Sequence, residues 1–208
     1  MATHLTPSDD ELLRLMMAGD EAAFTALYRR RQAGVYRFAL QMSGSEAIAE
    51  DVTQEVFLAL MSDATRFDSS RGTLSSYLYG IARNHVLRRL ERDRPFVQIV
   101  DDASEGEPHT ELWAADDNPH EELQRNEMIG RLRQAVLALP EHYREVVVLC
   151  DLHEMSYVEA ASALGCAIGT VRSRLHRARA LLLGKLNANI MSSEEGAGES
   201  FRTARCFA

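Results

Sequence analysis

An all-α protein built as two helical domains on an acidic linker is what this sequence predicts, and three observations predict it. Apolar residues recur at three- and four-residue steps from Leu12 to Leu60 and again from Met128 to Leu182. No stretch joins strict alternation to β-branched enrichment, so little or no sheet is expected. Between the two periodic regions lies a segment that holds Pro95, Pro108, Pro119 and Gly106 and shows little apolar periodicity.

Taken in order, Ser8 with Glu11 forms a capping-box pattern ahead of Leu12, Leu13, Leu15 and Met16, and Gly19 closes that helix. Asp20 caps a second helix whose stripe is Phe24, Leu27, Tyr28, Val35, Phe38 and Met42, up to Gly44. Ser45 caps a third, with Ile48, Val52, Val56, Ala59 and Leu60 expected inward, and a fourth is predicted over about Thr73 to Arg94. Beyond the linker, Met128, Leu132, Val136 and Leu139 continue a stripe, and Pro140 marks a break or a new first turn. Val146, Val147 and Leu149 are the expected core face of the next helix. Ser156 and Glu159 repeat the capping-box pattern before a short helix with Val158, Ala161 and Leu164 expected inward, and Gly165 ends it. The last helix carries Ile168, Val171, Leu175, Ala178 and Leu182 as its packing stripe. The predicted division is 1–95 for the first domain, 96–124 for the linker, 125–186 for the second domain and 187–208 for a tail read as disordered.

Length and composition narrow the function. The 208 residues are 46% hydrophobic, enough to bury a core. No apolar run spans a bilayer and no signal-peptide pattern opens the chain, so the expectation is a cytoplasmic protein without membrane insertion. Cys150, Cys166 and Cys206 have neither disulfide nor zinc spacing and read as reduced thiols. The seven histidines never pair with a helical carboxylate at metal spacing, and no nucleophile motif is present. No metal, no cofactor and no catalysis are therefore expected. The net charge of −8 argues against nucleic acid until its distribution is considered. From residue 69 to 90 and from 160 to 193 there is no Asp or Glu, while the net negative charge comes largely from the stretch Phe96 to Glu127, which holds ten Asp and Glu residues against the single Arg125.

The strongest functional signal is Met155 to Leu182, read as helix, glycine turn and helix. In that motif the second helix lies in the DNA major groove. Packing through Ile168, Val171 and Leu175 turns Arg172, Ser173, His176 and Arg177 outward, a set suited to base edges. Thr170, Arg174 and Arg179 flank it and suit phosphates. On the third helix, Asp51, Gln54, Glu55 and Leu58 lie opposite the apolar stripe and leave an acidic and amide face free for a partner. The polar loop from Phe67 to Leu74 feeds into Tyr77, Arg83 and Asn84. Aromatic and cationic side chains placed together can hold unpaired bases against an anionic backbone.

Ser156 to Ala161 followed by Gly169 to Arg179, with Leu139-Pro140-Glu141 and Tyr143-Arg144, resembles the fourth domain of extracytoplasmic-function (ECF) bacterial sigma factors of the sigma-70 type. Ala49 to Phe57 and the loop that follows resemble that family's second domain. The resemblance implies a non-enzymatic initiation factor that directs core RNA polymerase to promoter DNA. It implies −35 base contact by Arg172, Ser173 and His176, with Arg177 nearby. It assigns Asp51, Gln54, Glu55 and Leu58 to the clamp helices of the polymerase's largest subunit. For the opened −10 strand it implies base capture by the loop Asp68, Ser69, Arg71 to Leu74, with Tyr77 and Asn84, and steering by Arg83, Arg88 and Arg89. Tyr77 stands where family members usually carry tryptophan. An anti-sigma factor is a possible further partner. The alternative is a stand-alone helix-turn-helix regulator whose N-terminal half dimerises or senses.

Overall fold

A computed structural model describes residues 7–93 and 119–203. Among them the secondary structure is helical and no strand occurs. The helices are α1 (Asp9–Met17), α2 (Glu21–Ser43), α3 (Glu46–Ser62), α4 (Leu74–Asp93), α5 (Pro119–Leu137), α6 (Glu141–Val147), α7 (Tyr157–Leu164) and α8 (Ile168–Thr203). A 3₁₀ turn at Ala64–Arg66 follows α3, and a π turn at Val148–Leu152 follows α6.

The ends of these helices follow local chemistry. The first four amides of a helix lack intrahelical partners, and a side-chain oxygen just ahead supplies one. Ser8 accepts from the Glu11 amide, Asp20 from those of Ala22 and Ala23, and Ser45 from that of Ile48. The box at α7 is complete: Ser156 Oγ accepts from the Glu159 amide, and the Glu159 carboxylate accepts from the Ser156 amide at 3.0 Å. Replacing Ser156 with alanine is expected to lower unfolding stability by about 1 kcal/mol, read as a shift in urea midpoint. At the other end α2 stops at Gly44 (φ 72°) and α7 at Gly165 (φ 62°), both in the left-handed region that a side chain disfavours. The amide of Cys166 then bonds back to the Ala161 carbonyl at 3.1 Å, which makes the turn into α8 tight.

α2 is the central strut. It packs against α1, α3 and α4 and also against α5, α6 and the π turn. Leu27, Val35, Phe38, Ala39 and Met42 along it are buried. One continuous apolar cluster runs from Leu12 through α2, α3 and α4 into Val146, Val148, Leu149, Val171, Leu175 and Ala178. The two halves therefore share a core instead of hanging apart on the linker. Of the predicted linker, residues 96–118 lie outside the described residues, and its last six positions belong to α5.

Several expectations are corrected. Val158 and Ile168 were placed inward by spacing but are 63% and 39% exposed, because α7 is short and buries only Ala160, Ala161 and Leu164. The region from residue 187, read as a disordered tail, continues α8 to Thr203, and residues 204–208, with Cys206, lie outside the described residues. Burial pushes the Cys150 thiol up to about 11, so it stays protonated and a poor nucleophile. No helix among the described residues is long and apolar enough to cross a membrane.

Candidate nucleic-acid and polymerase interfaces

α8 presents the predicted groove surface. Val171 and Leu175 are buried beneath it, while Arg172, Ser173, His176 and Arg177 are exposed on the opposite side. The Arg172 guanidinium lies 5.7 Å from the centre of the Tyr157 ring, which holds the arginine between the two helices of the motif. Ser173 Oγ donates to the Thr170 carbonyl at 3.1 Å, and Thr170 and Arg174 are half-buried at the flank. Arg179 is engaged elsewhere: its guanidinium makes two hydrogen bonds to the Asp151 carboxylate, at 3.1 and 2.6 Å. It braces α8 against the π turn, a role that spacing alone did not reveal.

α3 carries the second face. Asp51, Gln54 and Leu58 are exposed, and Leu58 retains 60% of its surface. Glu55 is half-buried because Arg89 of α4 grips it at 2.8 and 2.9 Å and His85 pairs with it too. Arg89 also lies 3.6 Å from Asp51. The Arg89 hydrogen bonds hold the Glu55 carboxyl below its usual range, so the stripe remains anionic. Arg89, expected to steer a DNA strand, thus organises this acidic face. Beyond Leu58, a groove of about 600 Å³ opens between Met16, Met17, Phe24 and Met61.

The third set surrounds the start of α4. Asp68 accepts from the Ser70 amide and hydroxyl at 2.9 and 2.7 Å, which shapes the loop and keeps the carboxyl low. Ser69 and Arg71 are exposed, as are Asn84 and Arg88 further along α4. Tyr77 is half-buried, its ring 5.6 Å from that of Phe67. Leu74 departs from expectation: at 1% exposure it belongs to the core and offers nothing to a nucleic acid, because the first turn of α4 must anchor beneath the loop.

Around this third set the C-terminal half adds residues that no motif marked. Arg83 Nε donates to Glu145 of α6 at 2.6 Å, and Glu145 is 1% exposed. Ser162 Oγ of α7 donates to the Arg71 carbonyl at 2.9 Å. The Tyr79 hydroxyl lies 3.0 Å from His153 Nδ1, whose Nε2 lies 2.9 Å from Gln41 Oε1. Each joins positions far apart in sequence, which is why patterning could not supply them.

Comparison with known proteins agrees with this geometry. Residues 27–95 match the family model for Sigma-70 region 2, and residues 129–182 match that for Sigma-70, region 4. The chain is 36% identical over 165 residues to the ECF RNA polymerase sigma factor SigE of Mycolicibacterium smegmatis, covering 77% of this chain and 62% of that protein. It is 33% identical over 188 residues to the ECF RNA polymerase sigma factor SigM of Mycobacterium tuberculosis, covering 88% of each. Among solved structures, CnrH in complex with the cytosolic domain of CnrY superposes with a TM-score of 0.63 at 27% identity, covering 88% of this chain and 99% of that one. RpoE in complex with the anti-sigma factor NepR from Bartonella quintana gives 0.60 at 25% identity, covering 79% and 96%. With both regions present on one chain, a stand-alone regulator is not favoured, and the chain belongs to the ECF family of RNA polymerase sigma factors.

Proposed function

We propose that this sigma factor divides promoter recognition between its halves. Residues 1–95 hold core polymerase and the opened −10 strand, and residues 125–186 read the −35 duplex. Asp51, Gln54, Glu55 and Leu58 dock on the clamp helices of the largest subunit. Asp68, Ser69, Arg71, Tyr77, Arg83, Asn84 and Arg88 take the unpaired strand. In the groove Arg172, Ser173, His176 and Arg177 meet base edges, with Thr170 and Arg174 on phosphates. The observation that carries this reading is α8: an exposed cationic and polar face on a helix with no acidic residue from 168 to 193, buried on its other side by Val171 and Leu175. The acidic segment between the halves suits a cationic nucleic-acid channel in the enzyme.

Solved structures of similar proteins contain a second protein. CnrH is seen with the cytosolic domain of CnrY, and RpoE with an anti-sigma factor. An anti-sigma partner for this chain belongs to the same reading.

Run-off transcription with purified core polymerase on a promoter library is the test. Arg172→Ala is expected to weaken initiation at selected promoters by roughly 1–3 kcal/mol and to relax base preference at one −35 position. Failure of the chain to bind core enzyme, or an Arg172→Ala variant with unchanged promoter choice, would sink the reading.

A further inference from the structure

α2 carries a third acid-free run. Between Glu21 and Glu46 there is no Asp or Glu, while Arg29, Arg30, Arg31 and Arg37 appear, in a chain whose net charge is −8. None of these four belongs to the −10, −35 or polymerase sets. Arg30 and Arg37 stand about two turns apart on one side of the helix, with Gly34 between them.

Packing turns this side into a depression. A cavity of about 150 Å³ opens at the seam of α2 and α4, with Arg30, Arg31, Gly34 and Arg37 of α2 and Ser75 and Tyr79 of α4 in its wall. Among the described residues, no Asp or Glu lines it. Gly34 sets its depth: a Cβ there would stand 2.9 Å from the Tyr79 hydroxyl oxygen, so the tyrosine comes this close to α2 only at a glycine. Arg31 Nη1 reaches Ser75 Oγ at 3.4 Å and ties the two walls together.

The charge at this place is unbalanced. Asp9 of α1 accepts from Arg30 Nη1 at 2.8 Å and from Arg31 Nε at 2.6 Å, which shows that the two guanidinium groups converge on one oxyanion. One carboxylate thus faces three cations. Arg37 is exposed, and among the described residues no carboxylate pairs with it. A cleft walled by one sign of charge concentrates counter-ions, and the guanidinium fork matches phosphate oxygens. Size limits what can enter. Pockets that enclose a whole small molecule run to roughly 300–1,000 Å³, so this one takes a single phosphate group and leaves the rest of its bearer outside.

We propose that this cavity is a phosphate site in which Arg30, Arg31 and Arg37 hold one backbone phosphate of the opened promoter strand, next to the nucleotides taken by the loop before α4. The proposal rests on the assignment of the opened strand to that loop and to α4. Ser75 is the second residue of α4, directly after the loop, so a strand leaving the loop over the end of the helix arrives at the cavity. Asn84 lies about two and a half turns further on and faces the opposite side, which makes this contact separate from those already assigned. Arg30 and Arg31 also hold α1 through Asp9, so Arg37 is the residue to change.

Holoenzyme formed from the full-length chain and core polymerase is titrated, over a series of salt concentrations, with fork-junction promoter DNA whose −10 segment is single-stranded. Arg37→Ala is expected to bind about tenfold more weakly, as loss of one charge-assisted hydrogen bond implies. The slope of log affinity against log salt should fall by about 0.7, the value for one single-strand phosphate contact. Arg37→Lys keeps the charge and should keep the slope. Arg133→Ala removes a positive charge from α5, outside every assigned set, and should match wild type. Neutral methylphosphonate linkages are then placed one at a time along the open strand. At one position wild type should weaken to the level of Arg37→Ala, which itself loses nothing further there. An unchanged slope in Arg37→Ala, an equal fall in Arg133→Ala, or additive losses at every linkage would each overturn the proposal. Inorganic phosphate tests the other source of the same chemistry. If it raises the melting temperature of the wild-type chain and not of Arg37→Ala, while the strand titrations coincide, the site serves free phosphate and the proposal falls. A wild-type holoenzyme that fails to bind the fork defeats the strand assignment and the proposal together, whereas one that binds the fork and is indifferent to Arg37 defeats the proposal alone.

Discussion

Phe38→Ala is expected to lower unfolding free energy by roughly 3–5 kcal/mol, among the largest effects available to one substitution in this chain. The ring is fully buried on α2 and lies 5.3 Å from the ring of Tyr79 in α4 and 6.1 Å from that of His153 beyond α6. Removing it deletes transfer free energy and leaves a cavity. Collapse into that cavity is opposed because α2 is held by helices of both halves. Since the ring touches both halves, guanidinium unfolding followed by far-ultraviolet circular dichroism should move as one transition with its midpoint lowered. Leu58→Ala, at a side chain 60% exposed, serves as the comparison and should stay within about 0.5 kcal/mol. Equal midpoints for the two variants would show that α2 is not the shared strut described above.

What the sequence made legible was local. Ser8, Asp20, Ser45 and Ser156 cap the helices that their patterns predicted, and Gly44 and Gly165 end them with positive φ. Those signals act within a few residues, where spacing and hydrogen-bonding chemistry suffice. The outward set on α8 was legible for the same reason, because burial of Val171 and Leu175 fixes the face that remains. Failures came where a distant partner decides. Leu74 reads as part of a polar loop, yet the core draws it in. Val158 and Ile168 match the stripe, yet α7 is too short to cover them. Glu145 stands before the apolar run Val146 to Leu149 and no motif marks it; its partner Arg83 is 62 positions away. Arg89 and Arg179 read as nucleic-acid cations and are held by Glu55 and Asp151. Charge patterning identifies a cationic segment, and only tertiary packing shows which of its cations are free to meet phosphate.

His153 gives the second large effect, and it depends on pH. Neutral imidazole satisfies both of its neighbours, Nε2–H donating to Gln41 Oε1 and Nδ1 accepting from the Tyr79 hydroxyl. Burial, aided by the nearby Arg37 guanidinium, pushes its pKa from the ordinary 6.5 down to about 4. A base depressed in the folded state takes up its proton more readily when unfolded. The stabilisation from a neutral His153 is therefore complete above about pH 6.5 and is lost progressively as pH falls toward 4. The full shift corresponds to about 3 kcal/mol, and water reaching the half-buried ring reduces this to roughly 2 kcal/mol. Unfolding free energy at pH 5 should accordingly lie about 1–2 kcal/mol below that at pH 7. Other groups titrate over the same range, so the measured quantity is the difference in slope between wild type and His153→Gln. Glutamine keeps a donor and an acceptor but carries no titrating proton, and its slope should be flatter by that amount. Parallel slopes would mean that the imidazole is hydrated in the folded chain, and the joint between α2, α4 and the π turn would then be looser than the Tyr79 and Gln41 hydrogen bonds require.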